Sequence, residues 1–149
     1  INLEDRLSPV ALHVAKIEAV KAAAPGLFVN ARTDTYWLGD GEGTLDRLDA
    51  YQQAGADGVF VPGVTGPREI GALVQHLTVP LNILYTPTGP TLPQLADLGV
   101  RRVSLGSLLY RRALGAALEA VGEIREGRAP DGAVPSYDAV DALSRREAT

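Results

Sequence analysis

The repeating unit of this chain is clearest between Ala54 and Pro62, where the sequence reads AGADGVFVP. Gly55 follows a helical pattern and stands where a glycine commonly ends a helix. The run from Gly58 to Val61 is short and apolar, which is typical of a strand that is buried on both faces of a parallel sheet. Pro62 then ends the strand. These features predict a helix, a tight turn and a buried strand within a few residues.

The same alternation of helical patterns and short apolar strands recurs along the chain. Such alternation predicts a parallel sheet with right-handed crossovers. No G-x-G-x-x-G motif follows a strand, which disfavours a dinucleotide-binding fold and favours a barrel. The predicted strands are 1–3, 27–31, 58–61, 81–84 and 102–105, and the predicted helices are 10–24, 45–54, 67–76, 91–98, 108–126 and 137–146.

Five strands are too few to close a barrel, so we expect further strands to precede residue 1. The predicted fold class is therefore α/β, a (β/α)₈ TIM-type barrel of which this chain supplies about the last five β/α units plus a C-terminal helix. Residues 1–149 are predicted to form a single partial barrel domain. Within it, 127–149 comprise a polar linker with two prolines and the last helix.

Composition excludes several classes of function. The 149 residues carry a net charge of −4, which disfavours a nucleic-acid-binding protein because such proteins present clustered basic residues. With no cysteine, these residues can form neither a disulfide nor a thiolate metal site. No apolar run in these residues approaches the length of about 18 residues that a membrane span needs, and no charged segment followed by an apolar one is typical of a signal peptide, so we expect none. We expect a cytoplasmic protein without nucleic-acid or membrane partners.

Carboxylates stand at the end of the first predicted strand. In parallel barrels the active site lies at the carboxyl ends of the strands, so residues at these positions are the candidates for function. Glu4 and Asp5 follow the first strand, and a carboxylate there can bind a hard cation such as Mg²⁺. The alternative is a structural ion pair with Arg6, and the residues alone leave both interpretations open.

Polar residues also stand at the ends of later strands. Arg32 ends the second predicted strand on the same face as Phe28 and Asn30, because strand side chains alternate with a period of two. An arginine there can bind a carboxylate through its planar set of N–H donors, although a structural pair with Asp34 is equally compatible with the sequence. Arg32, Asn30 and, after the fourth strand, Thr86 are the candidate substrate-binding residues.

Four segments resemble the isocitrate lyase/phosphoenolpyruvate mutase superfamily. They stand in the order and at the spacing of that superfamily, and the resemblance covers nearly the whole chain. Any one of them alone would be a weak signal, whereas together they are specific at superfamily level. The segments are Ile1-Asn2-Leu3-Glu4-Asp5, Asn30-Ala31-Arg32-Thr33-Asp34, Ala54-Gly55-Ala56-Asp57-Gly58-Val59-Phe60-Val61-Pro62 and Leu98-Gly99-Val100-Arg101-Arg102-Val103-Ser104-Leu105-Gly106.

The resemblance implies an enzyme that uses Mg²⁺ or Mn²⁺ and acts on a small 2-oxo or 2-hydroxy carboxylate. It implies that Glu4 helps to hold the metal, often through water, and that Arg32 is catalytic: it binds the substrate carboxylate and stabilises an enolate-like intermediate. A divalent ion and a guanidinium are suited to this because both stabilise negative charge. The resemblance further implies a homo-oligomer, usually a tetramer, whose last helix is exchanged between subunits, a role that suits residues 137–146.

Two positions depart from the phosphonate mutases of the superfamily. Val10 follows Pro9 where the mutases carry a lysine, and Pro62 stands where they carry a histidine. These departures disfavour phosphoryl migration. The cysteine loop of the lyases and the paired aspartates that anchor the metal are expected upstream of residue 1.

The interpretation that we prefer is a metal-dependent lyase or hydrolase of a small dicarboxylate, of the methylisocitrate lyase or oxaloacetate hydrolase type. One alternative is a mutase that acts on a phosphonate or carboxyphosphonate. Another is a non-catalytic barrel that binds a carboxylate ligand. A phosphate-binding biosynthetic barrel is more distant, because Thr86-Pro87-Thr88-Gly89 makes a poor anion-binding loop.

Overall fold

The computed structural model describes residues 1–145 and shows strands alternating with helices. The strands are β1 (Asn2–Glu4), β2 (Asn30–Arg32), β3 (Gly58–Val61), β4 (Leu81–Leu84) and β5 (Arg102–Ser104). The helices are α1 (Val10–Ala23), α2 (Thr35–Leu38), α3 (Thr44–Gln53), α4 (Pro67–His76), α5 (Leu92–Asp97), α6 (Leu108–Arg125) and α7 (Tyr137–Ser144).

The strands form one 5-stranded sheet in the order β1-β2-β3-β4-β5, and every neighbouring pair is parallel. Each new strand is thus added on the same side of the one before it. In a doubly wound sheet, the later strands would instead be added on the opposite side of the first strand. The prediction of a parallel α/β sheet that is wound in one direction is confirmed.

One face of the sheet packs against helices α1, α3, α4 and α5. Strand residues such as Ala31, Val59 and Ile83 are buried in a single apolar cluster together with Ile17 of α1 and Leu48 of α3. Burying an aliphatic side chain of this size contributes about 1.5–3 kcal/mol relative to leaving it exposed. This cluster fixes these four helices on one side of the sheet, so the strand residues that alternate with it lie on the opposite face.

The first two strands differ from their predicted bounds. β2 was expected over 27–31 but begins at Asn30, because the N–H of Val29 donates to the side chain of Asp57 at 2.8 Å instead of to a neighbouring strand. Phe28 therefore lies outside the strand. Both strands also end one residue later than predicted, so Glu4 and Arg32 are the last residues of β1 and β2, whereas Glu4 was expected to follow its strand.

Helix bounds agree with the predicted ones to within one residue at each end, except near α2 and at the C-terminus. The short helix α2 was not predicted, because Thr35–Leu38 is too short for a periodic pattern. Gly55 and Gly99 end their helices with φ of +94° and +90°, which confirms the stop signals. The last predicted helix was extended to Arg146, which lies outside the described residues.

The contacts divide the chain into two compact units, one ending at Gly106 and the other beginning at Ser107. The second unit contains α6 and α7, with no helix or strand over residues 127–136. Both helices expose apolar side chains, among them Leu118, Ile124 and Leu143. Within residues 1–145, no helix has the length and the apolar character that crossing a bilayer requires.

Candidate active site

A row of side chains crosses the sheet on the face opposite the helices. The strand register aligns one residue from each strand, and the neighbours in this row are directly paired across the sheet. Most of these residues are polar or charged, in contrast to the aliphatic face that packs against the helices. In a closed barrel this face lines the interior. In order from β1 to β5, the row is Glu4, Arg32, Phe60, Asn82 and Arg102.

Arg32, the second residue of this row, makes two ion pairs. Its Nη1 lies 3.2 Å from Oε2 of Glu4, and its Nε donates to Oδ1 of Asp34 at 2.7 Å. The guanidinium carbon lies 5.6 Å from the ring centroid of Phe60. The side chain is 24% exposed, and Nη2 has no hydrogen-bond partner within residues 1–145. Arg32 is therefore held in place and still has donors available for a ligand.

The structure brings two of the predicted site residues together and leaves the other two apart from them. Glu4 and Arg32 are in contact, whereas Asn30 donates from Nδ2 to Oδ1 of Asn2 at 2.6 Å and is buried. Thr86 lies beyond β4, and its hydroxyl group is buried without a hydrogen-bond partner in the part of the chain that the structure describes. The substrate-binding roles of Asn30 and Thr86 stay predictions.

The two ion pairs that the sequence left open as structural alternatives are both present. Arg6 lies 3.9 Å from Glu4, and Arg32 pairs with Asp34, as the structural interpretations required. Both candidate residues nevertheless remain accessible to a ligand, because the side chain of Glu4 is 41% exposed and that of Arg32 is 24% exposed. The ion pairs therefore orient the candidate residues without occupying them fully.

Asp5 has a different role from Glu4 although the two are adjacent. Its Oδ1 accepts from the backbone N–H groups of Leu7 and Asp34 at 3.0 and 3.1 Å. Its Oδ2 accepts from Nη1 of Arg47 at 3.0 Å and from the hydroxyl of Tyr51 at 2.7 Å. The side chain is fully buried. Both oxygens are thus engaged by the protein, and Asp5 is not free to bind a ligand.

Opposing effects set the pKa of Asp5. Burial raises the pKa of this carboxyl group, but the hydrogen bonds from Tyr51, Leu7 and Asp34 outweigh it and hold the pKa below its ordinary value. Burial, followed by the hydrogen bond to Asp5, raises the pKa of Tyr51 well above its ordinary value. Asp5 is therefore an ionised acceptor and Tyr51 a neutral donor at neutral pH.

Among the described residues, Glu4 is the candidate that can contribute to a metal site. Within residues 1–145, no group of three or more potential ligands among His, Cys, Asp and Glu converges. Asp5 is committed to its donors, and Oδ1 of Asp34 accepts from Arg32. Glu4 remains, with a partly exposed carboxylate at the carboxyl end of β1. One carboxylate suits Mg²⁺, which commonly binds one or two carboxylates and keeps several waters.

The roles of Arg47 and Tyr51 were not predicted from the sequence. They are 42 and 46 residues from Asp5 in the chain and reach it only because α3 packs against α1 and β3. One signal was available: the two stand four residues apart on α3 and so share a helix face. A buried tyrosine also commonly bonds its hydroxyl group to a partner.

Comparisons with known proteins agree with this geometry. The family model described as phosphoenolpyruvate phosphomutase matches residues 1–125. A protein of Mycobacterium tuberculosis (strain H37Rv) of uncharacterised function is 44% identical over 142 residues, which cover 91% of this chain and 55% of the relative. The oxaloacetate decarboxylase of Pseudomonas aeruginosa (strain LESB58) is 37% identical over 123 residues, which cover 79% of this chain and 42% of that enzyme.

A solved structure has the same fold. A Burkholderia cenocepacia J2315 protein, whose assignment as a lyase/mutase is provisional, superposes with a TM-score of 0.82 at 34% identity and covers 98% of this chain and 59% of its own length. The chain thus spans about half the length of the relatives that it matches. It belongs to the phosphoenolpyruvate phosphomutase family, within the isocitrate lyase/phosphoenolpyruvate mutase superfamily, and its sheet is part of a (β/α)₈ barrel.

Proposed function

We propose that this chain forms part of a Mg²⁺- or Mn²⁺-dependent lyase or hydrolase that cleaves a C–C bond of a small 2-oxo or 2-hydroxy dicarboxylate through an enolate-like intermediate. The observation that carries the proposal is the placement of Arg32. Its guanidinium stands at the carboxyl end of β2, is braced by Glu4 and Asp34, and keeps a nitrogen free of protein partners within residues 1–145. This arrangement suits a group that binds an anion.

The chemistry of the row supports the proposal. Cleavage of a C–C bond next to a carbonyl moves the bonding electron pair into the carbonyl group and creates an enolate. The charge of Arg32 favours this intermediate and also binds a substrate carboxylate. When bound, the divalent ion would supply Lewis acidity, and Glu4 is the described residue that can help to hold it. The ring of Phe60 lies within the range of a favourable cation–π contact with the guanidinium of Arg32 and so helps to orient it.

Carbon–carbon cleavage is favoured over phosphoryl migration. Val10 and Pro62 stand where the resemblance to the phosphonate mutases would require a lysine and a histidine. Neither replacement can donate a proton or carry a positive charge. The relative named oxaloacetate decarboxylase supports the choice of a dicarboxylate.

The proposal extends to assembly and location. We propose a cytoplasmic homotetramer in which residues 127–149 pass to a neighbouring subunit. The exposed apolar side chains of α6 and α7 support an interface, since Leu118, Ile124 and Leu143 are 65%, 61% and 68% exposed. Apolar surface of this kind commonly marks contact with another protein surface.

The test is an activity assay of the protein as it is naturally expressed, with oxaloacetate and other 2-oxo and 2-hydroxy dicarboxylates in the presence of Mg²⁺. Arg32→Ala should lower kcat/KM by about 10²- to 10³-fold, because a charge that stabilises the intermediate is removed. Unchanged kcat/KM for Arg32→Ala would refute the assignment.

Two further variants make this test specific. Arg32→Ala also leaves the buried carboxylate of Asp34 without its donor, so Arg32→Lys is measured beside it. Lysine keeps the charge but cannot bridge Glu4 and Asp34 with two nitrogens, and it should retain part of the activity. Arg68→Ala, on the exposed face of α4, is the matched control and should leave kcat/KM unchanged.

A further inference from the structure

The turn that follows β1 has an unusual backbone. Arg6 and Leu7 have φ values of +49° and +57°, and they are the only residues other than glycine with positive φ within residues 1–145. Side chains with a Cβ atom rarely adopt this conformation, and consecutive examples persist only where the surroundings hold them. This strained turn comes two residues after Glu4. Something in the fold must therefore hold the chain in this shape next to the candidate site.

The buried carboxylate of Asp5 supplies that restraint. Its Oδ1 accepts the N–H of Leu7 within the strained turn and also the N–H of Asp34, which belongs to the next strand's loop. Its backbone N–H donates to the carbonyl oxygen of Arg32 at 3.1 Å. Asp5 is thus bonded to the chain on both sides of Thr33, and it couples the loop after β1 to the loop after β2.

Two side chains of α3 hold Asp5 in turn. Arg47 donates from Nη1 to Asp5 at 3.0 Å and to the carbonyl oxygen of Ser8 at 2.9 Å, while Tyr51 donates its hydroxyl to Asp5 at 2.7 Å. The ring of Tyr51 packs against that of His13 on α1, with centroids 4.5 Å apart. The support therefore reaches from the helical layer to the carboxyl ends of β1 and β2.

We propose that Asp5, clamped by Arg47 and Tyr51, is a positioning residue that sets the distance between Glu4 and Arg32. Asp5 touches neither substrate nor metal in this assignment. It acts through Arg32 along two routes, the backbone bond to the Arg32 carbonyl and the bond to the N–H of Asp34, whose carboxylate holds the guanidinium. A displacement of about 1 Å at such a position can cost about 10²-fold in rate.

The inference rests on the proposed function, because it assumes that Glu4 and Arg32 form the site. A carboxylate that only stabilised the fold would lower the melting temperature without changing the catalytic rate of the folded enzyme. The test therefore needs a control carboxylate that is bonded in a similar way but lies at the other end of the strands. Asp57 meets this requirement, since it accepts the N–H of Val29 and pairs with Lys21 at the start of β2.

The experiment compares Asp5→Asn, Tyr51→Phe and Asp57→Asn in the protein as it is naturally expressed, with oxaloacetate and Mg²⁺ as the probe. Asp5→Asn presents an amide group to Arg47 and Tyr51, both of which donate hydrogen bonds. Tyr51→Phe removes one donor and keeps the ring. We expect kcat to fall by about tenfold or more for Asp5→Asn and by a smaller factor for Tyr51→Phe, with KM changing less than kcat.

A second readout does not depend on activity. Amide hydrogen exchange at Leu7 and Asp34 should become faster in Asp5→Asn, and it should stay unchanged in Asp57→Asn, whose kcat should lie within about twofold of the parent protein. The outcomes separate the two claims. Activity that survives Arg32→Ala overturns the proposed function, whereas loss of activity in Arg32→Ala together with full kcat in Asp5→Asn and Tyr51→Phe overturns the positioning role alone.

Discussion

The carboxylate of Asp57 offers the sharpest test of how the start of the sheet is stabilised. It accepts the N–H of Val29 at 2.8 Å and pairs with Nζ of Lys21 at 2.9 Å. These contacts, the Val29 hydrogen bond first, also hold the pKa of Asp57 below its ordinary value. Asp57→Asn keeps an oxygen for Val29 and removes the charge, while Asp57→Ala removes both.

The two substitutions should differ in free energy by a predictable amount. The ion pair is partly exposed, with side chains 22% and 34% accessible, so solvent screening limits its loss to about 0.5–1 kcal/mol. Val29 is fully buried, and leaving its N–H without an acceptor costs about 1–3 kcal/mol more. Lys21 still has the carbonyl oxygens of Pro25 and Leu27 as acceptors in either variant. We therefore expect losses of about 1 kcal/mol for Asp57→Asn and about 3 kcal/mol for Asp57→Ala.

Denaturant-induced unfolding of the parent protein and of both variants measures these losses. One shared slope of unfolding free energy against denaturant concentration is fitted to all three proteins. Amide exchange at Val29 adds a local readout, because only Asp57→Ala removes its acceptor. Equal losses for the two variants would refute the assignment of the larger contribution to the Val29 hydrogen bond. A loss for Asp57→Asn as large as that expected for Asp57→Ala would show that the charge matters more than solvent screening allows.

Two further predictions concern the metal and acid stability. Glu4→Gln should weaken the apparent Mg²⁺ affinity by about tenfold, because an amide oxygen carries less charge than a carboxylate. A Mg²⁺ titration of activity measures this, with Glu18→Gln on the exposed face of α1 as the control. An unchanged titration curve for Glu4→Gln would exclude Glu4 from the metal site. Burial lowers the pKa of His13 from its ordinary 6.5, against the opposing effect of Asp5, so below about pH 6.5 the unfolded chain binds a proton that the folded protein does not. The free energy of unfolding should therefore fall from pH 7 to pH 5, by at most about 1.4 kcal/mol per pH unit. His13→Leu should make the free energy of unfolding depend less steeply on pH. Equal pH dependence in the parent protein and in His13→Leu would contradict the reasoning.

The order and direction of the strands could be predicted from the sequence. Short apolar runs that alternate with helical patterns specify parallel strands joined by crossovers, and the structure confirms the parallel sheet. The strand bounds were less accurate, because a strand begins where backbone partners exist. At Val29 the partner is the side chain of Asp57, which no local pattern reveals.

The contact between Glu4 and Arg32 could also be anticipated, since the carboxyl ends of adjacent parallel strands meet at one edge of the sheet. Their chemical roles stay predictions, as do those of Asn30 and Thr86. The sequence could not separate the pairing of Arg32 with Asp34 from its availability for a ligand. The structure shows that the guanidinium has enough nitrogens for both.

The sequence by itself determined the winding of the sheet and the presence of two adjacent carboxylates at the end of β1. Only the tertiary structure decided that they differ, with Glu4 partly exposed and Asp5 fully buried. The physical reason is that neighbouring residues in an extended chain point to opposite faces. Asp5 therefore points toward α3, where Arg47 and Tyr51 compensate the cost of burying its charge, and these donors reach it only when the helices pack on the sheet.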